Sequence, residues 1–201
     1  MHGKKEEREC YGITADLKKY FGKRYFLFSM FDCGIEIDRE SWYSVVAEPI
    51  SKYLCERLLY YGVSSIFEPF CGVGGLTVHF AGNFSPYIVN DLDPEKMRML
   101  KNNLSVYGKG LNLLKLKNKD VFAVKPIKVD CCVVCPPWGG IDISEYGGKD
   151  LDEIMKPSLS DILNHCRNFS ENMILQMPKN TNIKNFIKIV NQCNICPLIK
   201  I

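Results

Sequence analysis

Apolar residues along the chain alternate between short continuous runs and stretches with helical spacing. Short apolar runs bounded by turn residues indicate buried strands, whereas apolar residues recurring every three or four positions indicate helices. The predicted strands cover residues 66–70, 88–90, 111–116, 129–134 and 173–176. The predicted helices cover residues 45–61, 76–81, 94–107, 160–169 and 182–190.

This alternation of strands and helices predicts an α/β fold with a doubly wound, mostly parallel sheet, whose ligands bind beyond the carboxyl ends of the strands. Residues 1–43 precede the pattern and are rich in aromatic side chains. A disordered tail lacks such aromatic surface, so we expect disorder only in about the first ten residues. We therefore predict a small helical N-terminal extension at 1–43 and a core at 44–201.

Composition narrows the class of protein only slightly. The 26 lysines and arginines against 23 aspartates and glutamates leave a charge of +3, too small to identify a nucleic-acid binder. No apolar run approaches the roughly 18 residues of a membrane span, so we expect a soluble protein. The ten cysteines are scattered and follow no signal peptide, which favours a reducing compartment. Cys131, Cys132 and Cys135 are interpreted as buried thiols rather than as a zinc site, because no second ligand pair has suitable spacing.

A glycine-rich loop between the first strand and its helix is the candidate cofactor site. Loops of this kind let the backbone approach a ligand closely, but they also occur as plain turns and in dinucleotide enzymes. Here Thr77 stands where the dinucleotide pattern has its third glycine, and an acid, Glu68, ends the strand. A cofactor with a cationic amino-acid group and no phosphate explains both features, and S-adenosylmethionine is such a cofactor. The loop residues assigned to it are Phe70, Cys71, Gly72 and Gly74.

Acidic residues at the next two strand ends extend this site. Asp91 follows the second strand and is placed to accept hydrogen bonds from two ribose hydroxyls, with Leu92 beside it. Asp93 precedes Pro94 and is assigned instead to the helix cap. Asp120, after the third strand, is a candidate partner of the adenine amino group, with an ordinary loop carboxylate as the alternative.

The loop Cys135-Pro136-Pro137-Trp138 after the fourth strand is the candidate catalytic loop. Two prolines fix an extended backbone and leave the carbonyls of Cys135 and Pro136 unpaired. Such rigid acceptors suit an exocyclic amine, a poor nucleophile that must be held in line while charge develops on its nitrogen. Trp138 offers an aromatic face for a base. The simpler alternative is a Pro-Pro turn followed by a core tryptophan.

These motifs, with Leu27–Ile35, Asp38–Ser44 and Asn102–Gly108, resemble the trimethylguanosine synthase family in the same order, over roughly residues 18–185. The resemblance implies a Rossmann-like class I methyltransferase that uses S-adenosylmethionine to modify N2 of the 7-methylguanosine cap of small nuclear and nucleolar RNAs. It also implies nuclear location and an extension that closes over both ligands. We expect a monomer without a metal and without a side chain acting as an obligatory base.

Carried over by motif, the resemblance assigns Ser44, Glu48, Glu68, Asp91, Asp120 and Cys135 to the cofactor pocket. It assigns Asn103, Pro136, Trp138 and Lys179 to the cap. The chain departs from the family at Cys135, where serine is usual, and at Lys179, where arginine is usual. A lysine at that position offers a point charge instead of a bidentate phosphate contact.

Three other functions remain open from the sequence. An amino-group methyltransferase acting on adenine in DNA or RNA would share the catalytic loop. A methyltransferase-like RNA-binding module without turnover is motivated by Cys135 and by the short C-terminal segment. A NAD-dependent oxidoreductase is disfavoured by Glu68, Thr77 and the Pro-Pro-Trp sequence.

Overall fold

The computed structural model describes residues 13–138, 150–177 and 181–195. Within these ranges, five parallel strands form one sheet in the order β3-β2-β1-β4-β5. The strands are β1 (Ile66–Glu68), β2 (Tyr87–Asn90), β3 (Lys115–Lys117), β4 (Cys131–Val134) and β5 (Met173–Leu175). The parallel sheet predicted from the sequence is confirmed.

Strand β1 lies at the centre of the sheet, where Ile66 pairs with Tyr87 of β2 on one side and with Cys131 of β4 on the other. Every residue of β1, β2 and β4 is buried. Helices cover both faces of a parallel sheet, so its central strands are apolar throughout instead of alternating.

Nine α-helices accompany the sheet in the described ranges. They are α1 (Lys18–Phe21), α2 (Arg24–Leu27), α3 (Ser41–Ser44), α4 (Glu48–Tyr60), α5 (Thr77–Phe80), α6 (Pro94–Val106), α7 (Leu151–Ile154), α8 (Leu159–Cys166) and α9 (Ile183–Gln192). Short 3-10 helices form at Ala15–Leu17, Phe31–Cys33, Leu111–Leu113 and Val121–Ala123. As predicted, Asp93 caps α6, where its side chain accepts hydrogen bonds from the N–H groups of Glu95 and Lys96.

Two hydrophobic cores lie on the two faces of the sheet. The first joins α4, α5 and α6 to buried side chains of the N-terminal extension, including Phe28, Phe31 and Trp42. The second joins β4 to α7, α8 and α9, and in it Phe67 stacks on Phe169 with ring centroids 4.1 Å apart. The extension therefore belongs to the first core and is not an appended tail.

The third strand differs from its prediction. Residues Leu111–Leu113 form a 3-10 helix, and β3 begins only at Lys115. Strand β3 lies at the edge of the sheet, with Lys115 exposed and Leu116 half-buried, so its sequence is less apolar than that of the central strands. The leucines that precede it therefore led to a predicted start that is too early. Helix α7 was not predicted at all, since one turn gives too few positions to establish a helical period.

Candidate active site

A cavity of about 510 Å³ lies beyond the carboxyl ends of the strands. The strand order reverses between β1 and β4, and such a reversal opens a crevice at this edge of a doubly wound sheet. The loops after all five strands contribute to the walls. The extension and its junction with α4 complete them with residues 40, 41 and 43–46.

Most residues assigned to the site from the sequence line this one cavity. They are Ser44, Glu68, Phe70, Cys71, Gly72, Asp91, Leu92, Asp120, Cys135, Pro136, Pro137 and Trp138. Glu48, Gly74 and Asn103 are not among the lining residues. Lys179 lies outside the described residues.

The second and third glycines of the cofactor loop are required by the shape of the loop. Gly74 has φ +96°, and a Cβ there would collide with the Leu100 side chain. A Cβ at Gly75 would lie 2.6 Å from Cγ2 of Val45 and 2.8 Å from the carbonyl oxygen of Val46. The loop therefore packs directly against the segment that joins the extension to α4.

Glu68 lies buried at the floor of the cavity. Its Oε2 accepts a hydrogen bond of 2.9 Å from the Thr77 hydroxyl and another from the Tyr87 hydroxyl. Burial raises the pKa of Glu68 to about 7, although both hydrogen bonds oppose the shift. Its carboxyl group is therefore poised to ionise near neutral pH when a cation lies beside it.

Asp91 stands at the end of β2, with its carboxylate held by two backbone N–H groups. Gly72 donates to Oδ2 at 2.8 Å and Asp93 donates to Oδ1 at 3.0 Å. Burial raises the pKa of Asp91, and these two bonds oppose it. An ionised carboxylate has about four acceptor positions, so two remain for ligand hydroxyls.

Asp120 and two exposed apolar side chains form the neighbouring wall. Asp120 Oδ1 accepts a 2.9 Å hydrogen bond from the N–H of Phe122, which fixes the turn after β3. Leu92 and Phe122 both line the cavity and remain 69% and 43% exposed. Exposed apolar side chains beside a carboxylate suit a flat ring that carries an amino group.

The loop after β4 forms another wall of the cavity. Within the described part of the chain, no hydrogen bond engages the carbonyl groups of Cys135 and Pro136, whereas the Val134 carbonyl is occupied by the N–H of Gln176. Trp138 is half-buried and packs against the second core while also lining the cavity. Burial raises the pKa of the Cys135 thiol, and the neighbouring carboxyl of Glu68 raises it further. The thiol is thus protonated at neutral pH and is neither a base nor a nucleophile.

The structure places Glu48 below the surface, away from the cavity, in a network of its own. Its carboxylate accepts hydrogen bonds from the Ser29 N–H at 2.7 Å, the Ser29 hydroxyl at 2.8 Å and the Tyr107 hydroxyl at 2.6 Å. Lys52 lies 2.6 Å away. Burial alone would raise the pKa of Glu48, but these partners outweigh it and lower the pKa to about 2. Glu48 joins the extension to α4 and α6.

Asn103 is fully buried in α6, with its amide engaged by main-chain groups. It bonds both the N–H and the carbonyl of Glu36 at 2.8 Å, and donates to the Val73 carbonyl at 2.9 Å. Because the amide is occupied by these contacts, Asn103 does not line the cavity, although the resemblance assigned it to the cap site.

Sequence reasoning missed several cavity residues, including Tyr43, Lys96, Phe122 and Lys156. Lys96 lies in the first turn of α6, and its Nζ is 2.6 Å from Oε2 of Glu40 in the extension. Burial lowers the pKa of Lys96, but the contact with Glu40 outweighs this and the pKa is raised. Of these four residues, only Phe122 could have been assigned to the site from the sequence, because it lies two positions after the candidate adenine-binding residue Asp120.

The described ranges contain no helix long and apolar enough to cross a bilayer. Among the same residues, no cluster of three or more histidine, cysteine, aspartate or glutamate side chains is arranged to hold a metal ion.

The fold and the cavity define a Rossmann-like methyltransferase. The donor set fits S-adenosylmethionine, because two carboxylates at the ends of β1 and β2 border a glycine loop in a cavity of suitable size. Among solved structures, a Pyrococcus horikoshii protein assigned as an RNA methyltransferase matches with a TM-score of 0.61 at 15% identity, over 85% of this chain and 82% of its own. That likeness concerns the fold.

Residues 63–197 match the family model described as RNA cap guanine-N2 methyltransferase. The chain is 32% identical to Trimethylguanosine synthase of Schizosaccharomyces pombe over 185 residues, which are 87% of this chain and 76% of that protein. It is 31% identical to Trimethylguanosine synthase of Saccharomyces cerevisiae over 182 residues, which are 85% of this chain and 57% of that protein. The chain belongs to the RNA cap guanine-N2 methyltransferase family. It is an S-adenosylmethionine-dependent enzyme of RNA processing.

Proposed function

We propose that this enzyme converts the 7-methylguanosine cap of small nuclear and nucleolar RNAs to 2,2,7-trimethylguanosine, as a monomer in the nucleus. The observation that carries the proposal is that the Cys135–Trp138 loop and the carboxylates Glu68 and Asp91 line one cavity. The similarity to two trimethylguanosine synthases supports the choice of substrate and product.

In this proposal, the half of the cavity beside β1, β2 and β3 holds the cofactor. Asp91 accepts the two ribose hydroxyls with the oxygen positions that Gly72 and Asp93 leave open. Asp120 accepts from the adenine amino group, whose ring lies between Leu92 and Phe122. Glu68 pairs with the ammonium group of the methionine part, which favours its charged form.

The half of the cavity beside β4 holds the cap guanine. Trp138 stacks against the base, and stacking of this kind contributes about 1–3 kcal/mol. Because methylation at N7 makes the guanine cationic, attraction to the ring quadrupole adds about 0.5–2 kcal/mol. In the first transfer, the carbonyl groups of Cys135 and Pro136 accept hydrogen bonds from the two N–H groups of N2 and direct its lone pair towards the methyl donor. In the second transfer one N–H remains, and one of the two carbonyl groups accepts it.

S-adenosylmethionine supplies an electrophilic methyl group on sulfonium sulfur. As the bond from N2 to the methyl carbon would form and the carbon–sulfur bond would break to leave a neutral thioether, positive charge would develop on N2, and the two carbonyl oxygens would stabilise that charge without reorganising. Methylation at N7 also acidifies N1, so the substrate assists loss of a proton from the ring. With the Cys135 thiol protonated, we assign no side chain as an obligatory base, and the N2 proton passes to solvent.

A transfer assay with labelled S-adenosylmethionine tests this function. The substrates are 7-methylguanosine triphosphate, guanosine triphosphate and an adenine-containing oligonucleotide, with products resolved by methyl count. We expect one and then two methyl groups on N2 of the first substrate and little transfer to the others. Equal transfer to guanosine triphosphate would show that the positive charge of the N7-methylated guanine is not required. A preference for the adenine-containing oligonucleotide would show that adenine, and not the cap guanine, is the substrate.

A further inference from the structure

Helix α6 holds a side chain that touches both the cofactor loop and the extension. Asn103 Nδ2 donates to the carbonyl of Val73 at 2.9 Å and to the carbonyl of Glu36 at 2.8 Å. Its Oδ1 accepts from the N–H of Glu36 at 2.8 Å. One buried amide thus ties together two segments that are far apart in sequence.

Each of these two segments leads to a different wall of the cavity. Val73 follows Gly72, whose N–H holds Asp91 in place. Glu36 precedes Asp38, and the Asp38 carboxylate accepts the N–H of Ser41 at 2.7 Å at the start of α3. Helix α3 carries Tyr43 and Ser44 into the cavity wall.

The neighbouring residue, Asn102, provides a natural comparison. Its Nδ2 donates to the carbonyl of Gly34 at 2.8 Å and to Oδ1 of Asn103 at 3.3 Å, so it also holds the extension. Among the described hydrogen bonds, it makes none with the cofactor loop itself. Asn102 is half-buried, whereas Asn103 has no exposed surface. Asn103 therefore bonds the cofactor loop, whereas Asn102 does not.

We infer that Asn103 is a positioning residue that couples cofactor binding to cap binding. A bound cofactor orders the Gly72–Gly74 loop, the loop fixes the Asn103 amide, and the amide fixes Glu36 and the α3 wall in the arrangement that accepts the cap. By linkage, a bound cap must then favour the cofactor by the same factor. This inference rests on the function proposed above and assigns to Asn103 a role without contact to either ligand.

Cap affinity with and without the demethylated cofactor tests the coupling. The dissociation constant of 7-methylguanosine triphosphate is measured by calorimetry in the absence and presence of saturating S-adenosylhomocysteine, for the unaltered protein, Asn103→Ser and Asn102→Ser. In the unaltered protein we expect S-adenosylhomocysteine to tighten cap binding by roughly 5- to 150-fold. Asn102→Ser should weaken cap binding yet keep the ratio, whereas Asn103→Ser should bring the ratio close to one.

Hydrogen exchange of the unaltered protein gives a second readout that does not depend on the folding of a variant. Glu36 does not line the cavity, so its N–H reports on the Asn103 bond and not on ligand contact. S-adenosylhomocysteine alone should slow exchange at Glu36. Unchanged exchange there, or a ratio in Asn103→Ser equal to that of the unaltered protein, would overturn the inference while leaving the function intact. If the unaltered protein binds S-adenosylhomocysteine but no cap under either condition, the proposed function fails, and the coupling fails with it.

Discussion

The hydroxyl of Thr77 donates a hydrogen bond of 2.9 Å to Oε2 of Glu68 beneath the floor of the cavity. With the hydroxyl of Tyr87, it holds one carboxylate oxygen in a site where burial raises the pKa of Glu68 to about 7. The hydroxyl groups beneath the cavity therefore influence the ionisation of a carboxyl group that lines it.

Cofactor affinity should depend on pH through Glu68. In the proposed site the ammonium group of the cofactor binds the ionised carboxylate, so below about pH 7 the dissociation constant of S-adenosylhomocysteine should rise about tenfold per pH unit, and above that pH it should level off. Glu68→Gln should bind weakly and lose this dependence. Thr77→Val removes a bond that favours the charged form, so its midpoint should move to higher pH. Calorimetry between pH 5.5 and 8.5, about 1.5 units on each side of the pKa, measures all three, and a flat profile for the unaltered protein would contradict the assignment.

Trp138→Ala should abolish most turnover while cofactor binding survives. Loss of stacking and of the cation–π attraction, together about 1.5–5 kcal/mol, predicts a decrease in kcat/KM of roughly 10- to 5,000-fold. Trp138→Phe keeps an aromatic face and should retain much of the activity. Steady-state kinetics with 7-methylguanosine triphosphate, paired with calorimetry of S-adenosylhomocysteine, separates the two effects. Near-normal kcat/KM in the alanine variant would show that the base does not stack on Trp138.

Cys135→Ser should change kcat by less than about threefold, because the proposed acceptor is the main-chain carbonyl and the thiol is a weak donor. The raised pKa of Cys135 also keeps the thiol uncharged at the pH of the assay. Single-turnover rates at saturating ligands check this directly. A loss of activity greater than about 100-fold, equivalent to roughly 2.7 kcal/mol, would assign the chemistry to the side chain instead.

Glu48→Gln should lower the free energy of unfolding at pH 7 by about 1–3 kcal/mol, because the charged acceptor shared by Ser29, Lys52 and Tyr107 is lost. The pKa of Glu48 is lowered from 4.5 to about 2, so its contribution is complete above about pH 4.5 and disappears as the pH falls towards 2. The difference from the unaltered protein should therefore shrink on acidification. Urea unfolding at several pH values measures it.

Glu56→Gln is the matched control for that experiment, because Glu56 is an exposed residue of the same helix. It should change stability by less than about 0.5 kcal/mol at every pH. A pH-independent difference for Glu48→Gln, or an equal effect of the control, would contradict the role of the buried network.

Much of this molecule could be predicted from the sequence, because its central strands are short apolar runs and its longer helices have apolar residues at helical spacing. The Asp93 cap follows from the preference for aspartate at a helix N-cap. The gathering of Glu68, Asp91 and the Pro-Pro-Trp loop at one edge follows from the rule that parallel strands present their carboxyl ends together. The start of β3 was wrong, since Lys115 and Lys117 dilute the apolar signal of an edge strand.

The positions of Glu48 and Asn103 could not be predicted, for a different reason. Both belong to motifs that border the site, but their side chains bond residues about 19 and 67 positions away, as the contacts of Ser29 and Glu36 show. The position of a residue within a motif indicates that the residue lies near the cavity, but it does not indicate where the side chain points. The close contact of Gly75 with Val45 and Val46 likewise depends on tertiary packing.

A crystal structure of the protein with S-adenosylhomocysteine and 7-methylguanosine triphosphate tests the proposed site most directly. We expect the guanine stacked on Trp138, N2 within hydrogen-bonding distance of the Cys135 and Pro136 carbonyl oxygens, and the ribose of the cofactor on Asp91. A guanine bound elsewhere, or with N2 directed away from those carbonyls, would contradict the proposed mechanism.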